Sequence, residues 1–265
     1  MRAEKITSLQ NPKVKNVLKL RKAGERAKQQ RFSIEGINEL THALHSGYEI
    51  ETLFFCPDIA PQEEIDSLAQ KCTSVYEVSR EVFSKMAYRE DSGGMVAISK
   101  QKDHGLANLK LRTNPLVIVL ETVEKPGNLG AILRTADSAS VDAVILCDAS
   151  TDLYNPNVIR ASIGCVFSTQ VASCSGDEAR QWLENNQIKS FATHIQTEKW
   201  YHEYDYRAAS AIIMGTESTG LSEKWIRFAH EGIKIPMLGV NDSLNVSIAT
   251  AVVVYEAMRQ RNFYF

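Results

Sequence analysis

Three short stretches carry residues whose types and spacing suit chemistry. In ETVEKPGNLGAILRTA (121–136), Gly127 and Gly130 flank Asn128, and Arg134 follows one to two helical turns later. Glycines there permit close backbone approach, a helix N-terminus can face an anion, and an arginine fork suits phosphate or carboxylate. In IIMGTESTGLS (212–222) an apolar run ends on Gly215, with Glu217 and Gly220 just beyond. Two glycines around an acid suggest a loop that wraps a ligand with backbone groups. In VNDSLNVSIATAVVVYEAM (240–258), Asn241, Asp242, Ser243, Asn245 and Ser247 crowd the entry to a helical pattern, with Leu244 and Val246 between them. One such side chain caps a helix. The others can reach the backbone of neighbouring loops or the atoms of a ligand. Each stretch alone also reads as a plain turn and cap: a surface Arg in the first, Ser222 as N-cap in the second, a turn at Gly239 in the third. Their joint occurrence, in this order, carries the argument. The first stretch lacks GxGxxG spacing and no acid sits at the right place after the next strand, which disfavours a dinucleotide fold.

All three stretches fall at strand-to-helix junctions. LVIVLE (116–121) is a continuous apolar run, as in a buried parallel strand, and AVILCD and the run ending at Gly215 repeat it. TQVAS, SFATHI and IKIP read as further strands. NLGAILRTADSA, DEARQWLEN and SEKWIRFAH read as helices, and NPNVIRASIGCVF opens one with proline. Ile248, Val252, Tyr255 and the residues between them recur at helical spacing and are mostly apolar, which predicts a buried helix after the polar turn. The pattern predicts a parallel-sheet α/β domain over 115–265, with ligands beyond the carboxyl ends of its strands. Upstream, Asn11–Pro12 marks a helix start, with the helix expected to reach about Ala23–Gly24. Strands at RFSIE, IETLFFC, VYEVS and GGMVAIS alternate with helices, which predicts a smaller α/β domain over 1–100. A polar linker is expected at 101–114. Phe32, Phe54, Phe55 and Tyr88 are expected in its core.

The chain has 265 residues, 44% hydrophobic and 23% charged, as in a soluble globular protein of one large or two modest domains. No apolar run is long enough to span a membrane, and MRAEKITSLQNPKVK lacks the apolar core of a secretory signal. Five scattered cysteines without CxxC spacing point to free thiols in a reducing cytoplasm. No HxxxH or HExxH pair supports a metal site. Net charge is only −2, but residues 1–31 hold ten basic against two acidic residues, a net +8 against −10 for the remainder. That asymmetry suggests a basic arm facing a polyanion, with a merely solvated amphipathic helix as the other reading.

PGNLGAILRTA, IIMGTESTGLS and IPMLGVNDSLNVSIATAVVVYEAMRQR resemble the three motifs of the SpoU/TrmH family of RNA ribose 2′-O-methyltransferases. NPNVIRASIGCVF resembles that family's Asn-Pro…Arg-x-Ser-x-Gly segment. The resemblance spans the second domain. The first domain, including RFSIEG and GGMVAI, resembles the ribosomal-protein-like substrate-binding domain often fused to it.

The resemblance implies a deep trefoil knot made by the C-terminal chain, a homodimer, and S-adenosylmethionine as cofactor. It places the cofactor among Met214, Gly215, Glu217, Gly220, Ile235, Met237, Ser243, Leu244 and Val246. It gives Arg134 a central part, as base or as the group that positions the acceptor. An arginine pKa of about 12 or more favours positioning. Asn128 and Glu217 would fix the loops, and Ser162 and Asn245 would hydrogen-bond acceptor or cofactor. RNA contact is expected from Lys13, Lys15, Lys19, Lys22, Arg21, Arg31, Arg134 and Arg160, through phosphates. Ribosomal RNA is the expected substrate, since transfer-RNA members often lack the first domain; a transfer-RNA enzyme and a non-catalytic assembly factor are the alternatives. Two positions depart from the family pattern: Lys125 stands where Asp or Asn is usual, and Ser218 where Gly is common.

Overall fold

The computed structural model describes residues 3–88, 92–149, 151–216 and 218–263. The chain forms two compact units, one of residues 1–102 with 152–168, the other of 103–151 with 169–265.

Unit 1 is built on a five-stranded mixed sheet. In chain order its elements are β1 (Glu4–Ile6), α1 (Pro12–Lys19), α2 (Ala23–Gln29), β2 (Arg31–Glu35), α3 (Ile37–His45), β3 (Ile50–Phe55), α4 (Gln62–Ala69), β4 (Ser74–Val78), α5 (Arg80–Met86) and β5 (Met95–Lys100). The sheet order is β1-β4-β3-β5-β2, with β5 antiparallel to both neighbours and the other pairs parallel. Asn11 caps α1 by accepting from the Lys13 amide, ahead of Pro12. The single helix expected to reach Ala23–Gly24 is instead two. The chain turns at Leu20–Lys22, where the Leu20 carbonyl accepts a 2.8 Å bond from Arg26, itself only 2% exposed. Burying that guanidinium demands partners, and Asp152 supplies the other at 2.6 Å. Phe32, Phe54 and Phe55 are buried as expected. Tyr88 is not: it is 53% exposed, with the Arg21 guanidinium 5.6 Å from its ring centroid.

Residues 152–168, which the sequence pattern assigns to the second domain, pack with unit 1 through aromatic contacts. Tyr154 stacks on Phe32 at 4.1 Å between centroids, and Phe167 meets Tyr48 edge-on at 4.9 Å. The segment forms two short helices, Pro156–Ala161 and Cys165–Ser168. Gly164, at φ +82°, parts them; a Cβ there would stand 3.1 Å from the His42 Cβ.

Unit 2 is a six-stranded, wholly parallel sheet. Its elements are β6 (Leu116–Glu121), α6 (Pro126–Ser138), β7 (Ala143–Cys147), β8 (Val171–Cys174), α9 (Gly176–Asn185), β9 (Lys189–Thr193), β10 (Ser210–Met214), α10 (Glu223–Phe228), β11 (Glu231–Ile233) and α11 (Val246–Gln260), α7 and α8 being the two helices already placed in unit 1. The order is β11-β9-β10-β6-β7-β8. β6, β7 and β10 are buried along almost their whole length, as their apolar runs require. The last strand, Glu231–Ile233, starts before IKIP and takes in its first residue, with Lys234 adding an isolated bridge to Trp200.

α11 packs on α6 and β10. Its buried face is Val246, Thr250, Val253, Val254, Ala257 and Met258, with the Thr250 hydroxyl satisfied by the Val246 carbonyl at 2.7 Å. The expected helix is present, buried on that one face only: Ile248 and Tyr255 are exposed and Val252 is half-buried. Both stripes are apolar, so periodicity alone does not choose between them.

The polar stretch expected as a linker is strapped to unit 2. Gln170 bonds both the amide and the carbonyl of Lys110, the His104 ring bonds the Val171 carbonyl at 2.9 Å, and Arg112 forks onto Asp142 at 2.7 and 2.8 Å. Burial would raise the Asp142 pKa, but the Arg112 hydrogen bond and the amides of Leu116 and Arg112 together hold it below the ordinary carboxylate value. A depressed folded pKa means the stabilisation is present above the unfolded value of about 3.9 and is lost as pH falls through the folded one. Asp142→Asn is expected to lower stability by about 2 kcal/mol at pH 7. Urea denaturation at pH 7 and pH 3 checks this, the difference between wild type and variant shrinking at the lower pH.

Candidate active site

Chemistry in a parallel sheet belongs at the carboxyl ends of the strands. In unit 2 those ends carry a cavity of about 490 Å³. Its floor is the end of β10, where Met214 leads into Gly215. A Cβ at Gly215 would lie 2.2 Å from the Gly220 carbonyl carbon, so only glycine lets the following turn fold back this closely. That turn closes through paired bonds between the amide and carbonyl groups of Thr216 and Gly220, with Gly220 at φ +69°. The Thr216 hydroxyl fastens it by accepting from the Thr219 amide at 3.0 Å. Glu217, expected to act here, lies outside the described residues.

The segment after β11 forms another wall. Ile235 and Met237 line the cavity, as do Ser243, Leu244 and Val246 before α11. Ser243 donates to Asp242 at 2.9 Å. All the described residues expected around a cofactor, including Gly220, thus meet at one cavity. Its lining mixes apolar side chains such as Ile235, Met237, Leu244 and Val246 with polar ones such as Thr193, Glu223, Lys234 and Asp242.

Asn245 explains the crowding of polar residues at the entry to α11. Its Oδ1 caps the helix, accepting from the Ser247 amide at 3.0 Å and hydroxyl at 2.6 Å. Its Nδ2 donates to Asn128 Oδ1 at 3.2 Å, on the first turn of α6. A smaller space of about 70 Å³ is lined by Lys125, Asn128, Thr216, Ser218 and Val246, so the three junctions converge there. Lys125 and Ser218, the two departures from the family pattern, both line this space.

Arg134 stands exposed on α6, its neighbours Ile132 and Leu133 buried beneath it. It lines none of these cavities. Ser162 is fully buried in unit 1, where its hydroxyl donates to the Ile159 carbonyl at 2.9 Å and accepts from the Val166 amide. Its side chain is thus committed to joining α7 to α8. Among the basic residues, Lys13, Lys15, Lys19, Lys22 and Arg160 are exposed. Arg21 and Arg31 are engaged internally: Arg21 donates to the carbonyls of Lys85, Met86 and Ala87, and Arg31 forks onto Glu51.

Sequence reasoning missed Thr193, His194 and Lys234 on the cavity wall. His194 directly follows β9, and a histidine just past a strand's carboxyl end was a readable signal. Burial holds its pKa below the ordinary imidazole value, and its buried Nδ1 finds no hydrogen-bond partner among the described residues.

Comparison with known proteins places this geometry. Residues 115–255 match the model of the SpoU rRNA Methylase family, and residues 11–97 match the MRM3-like substrate binding domain. The chain belongs to the SpoU rRNA methylase family. It is 29% identical, over 95% of its own length and 98% of the relative's, to the 23S rRNA (guanosine(2553)-2′-O)-methyltransferase RlmP of Bacillus subtilis. A crystal structure of an RNA 2′-O ribose methyltransferase superposes with a TM-score of 0.85 at 36% identity, covering 97% of this chain and 99% of that one. The AdoMet-bound rRNA methyltransferase from Sinorhizobium meliloti gives 0.89 at 31% identity, covering 97% and 98%.

The close approach at Gly215 makes a direct prediction. Gly215→Ala is expected to destabilise the protein by about 1–3 kcal/mol through overpacking against Gly220. Chemical denaturation measures it, and an unchanged midpoint would mean that the 216–220 turn is free to move aside.

Proposed function

We propose that this chain methylates a ribose 2′-hydroxyl of RNA, with ribosomal RNA as the substrate class and S-adenosylmethionine as donor. The observation that carries the reading is the cavity at the ends of β9, β10 and β11, with the Asn245–Asn128 bond tying the start of α11 to α6 beside it. The cavity fits the cofactor in kind. Its volume lies within the roughly 300–1,000 Å³ of small-molecule sites, the bare backbone at Gly215 and Gly220 suits an adenine edge, and Leu244, Val246, Ile235 and Met237 offer apolar contact. When bound, the cofactor supplies an activated methyl group on a sulfonium centre.

The protein's own work is alignment and removal of a hydroxyl proton. Arg134, exposed on α6, grips the target phosphate and orients the ribose; the competing assignment makes it the base. Asn128 and Asn245 hold the loops, Glu217 is assigned with them, and Ser162, buried with its hydroxyl committed between α7 and α8, serves as a structural residue of unit 1. Unit 1, residues 1–102 with 152–168, serves as the substrate-binding domain, and unit 2, residues 103–151 with 169–265, as the methyltransferase domain. Lys13, Lys15, Lys19, Lys22 and Arg160 meet RNA phosphates.

The knot and the dimer are part of the reading. The trefoil knot, with the C-terminal chain threaded through a loop, is what the family resemblance implies. The apolar stripe of exposed Ile248 and Tyr255 with half-buried Val252 on α11 suits the surface of a homodimer. Free cysteines fit a cytoplasmic setting.

The test is transfer of labelled methyl from S-adenosylmethionine to total RNA from cells lacking this protein, followed by alkaline hydrolysis. Alkaline cleavage uses the 2′-oxygen, so label is expected in alkali-resistant dinucleotides, and sizing the intact RNA separates ribosomal from transfer RNA. Neither transfer nor cofactor binding would point instead to a non-catalytic RNA-binding protein. Arg134→Ala is expected to cut transfer on the order of 10²-fold while cofactor affinity, read by calorimetry, stays within about twofold. Loss of cofactor affinity in that variant would make Arg134 structural.

A further inference from the structure

Unit 1 holds a cavity of about 500 Å³ that methyl transfer itself does not use. We propose that it takes the base of one unpaired guanine in the substrate, an inference that rests on the RNA reading above for its class of ligand.

The wall chemistry argues for a base and against a phosphate. Arg21 lines the cavity, but its Nη2 is committed to the carbonyls of Lys85, Met86 and Ala87 at 3.0–3.2 Å. Glu35, Glu39 and Glu64 line it too. Glu35 already accepts from the Tyr88 amide at 2.6 Å, so Glu64 is the carboxylate that can take a ligand's donors, and this acidic wall beside the engaged Arg21 disfavours an anion and favours a neutral group that donates hydrogen bonds. Arg160, exposed on the same lining, can meet the backbone phosphate outside.

One buried group calls for a ligand. Ser92 lines the cavity and is 7% exposed, yet its hydroxyl finds no hydrogen-bond partner among the described residues. Buried hydroxyls are nearly always paired, and a hydroxyl donates as readily as it accepts. Asn38, on the first turn of α3, adds an amide. Guanine offers two adjacent donors, N1–H and N2–H₂, beside the O6 acceptor. A carboxylate takes the two donors and a hydroxyl or amide supplies O6. Adenine, cytosine and uracil lack that pair of adjacent donors. Tyr88 contributes an exposed ring to the lining, and unpaired RNA bases stack on such rings.

The experiment uses the full chain with substrate RNA carrying 6-thioguanosine, or 4-thiouridine as control, irradiated and mapped by mass spectrometry. Adducts at Tyr88 or Ser92 with the thioguanosine RNA alone are expected. Glu64→Gln and Ser92→Ala are each expected to raise KM for RNA about tenfold, with cofactor affinity and Tm unchanged. Equal adducts from 4-thiouridine, or adducts only elsewhere, would overturn the guanine pocket, as would an unchanged KM in both folded variants. Should a variant fail to fold, cross-linking of the native chain decides alone. Adducts at this pocket without methyl transfer would sink the catalytic reading and leave the pocket standing, so the two failures are distinguishable.

Discussion

The site in unit 2 depends on one amide side chain doing two things at once. Asn245 caps α11 with its oxygen and reaches Asn128 with its nitrogen. A serine or aspartate would cap as well but has no NH₂ to send across. The bond fixes where α11 begins relative to α6, and therefore where Leu244 and Val246 stand on the cavity wall. The residues that line the cavity come mostly from loops, so without such ties their positions would be set only by strand ends.

The second constraint is steric. Gly215 brings two backbone segments to a distance that no side chain tolerates, and the turn at 216–220 is then held by its own amide and hydroxyl bonds. A rigid parallel sheet below and two tied loops above give a preformed cavity. Preformed sites bind without the entropic cost of ordering loops on each encounter. In unit 1 the same economy of means is visible in charge: Arg21, Arg26 and Arg31 are engaged in hydrogen bonds within the unit, and lysines hold the exposed positions.

Much of the framework was legible because it rests on local patterns. Apolar runs such as LVIVLE mark strands buried on both faces, and Asn11–Pro12 marks a helix start. The residues that gather at the cavity announced themselves as glycine and polar clusters at strand ends. What failed was whatever depends on distant partners. The break at Leu20 exists because Arg26 needs the Leu20 carbonyl and Asp152, 126 positions on. The face α11 buries is decided by α6 and β10, since both of its stripes are apolar. Tyr88 reads as core by type alone, and its exposure is a tertiary fact. Residues 152–168 look like part of the second domain in sequence, yet Tyr154 and Phe167 complete an aromatic cluster with Phe32 and Tyr48.

The Asn128–Asn245 bond also spans 117 residues of chain. As the polypeptide is synthesised, β6 and α6 emerge early and their apolar faces can pack at once. The segment that completes the cavity arrives only after five more strands and their connections have been made. Loops this long are closed late, since their closure entropy is offset only when the contacts they reward are already in place. β10, the strand that pairs with β6, and β11 lie in that same late stretch, so the sheet and the wall of its cavity are completed together.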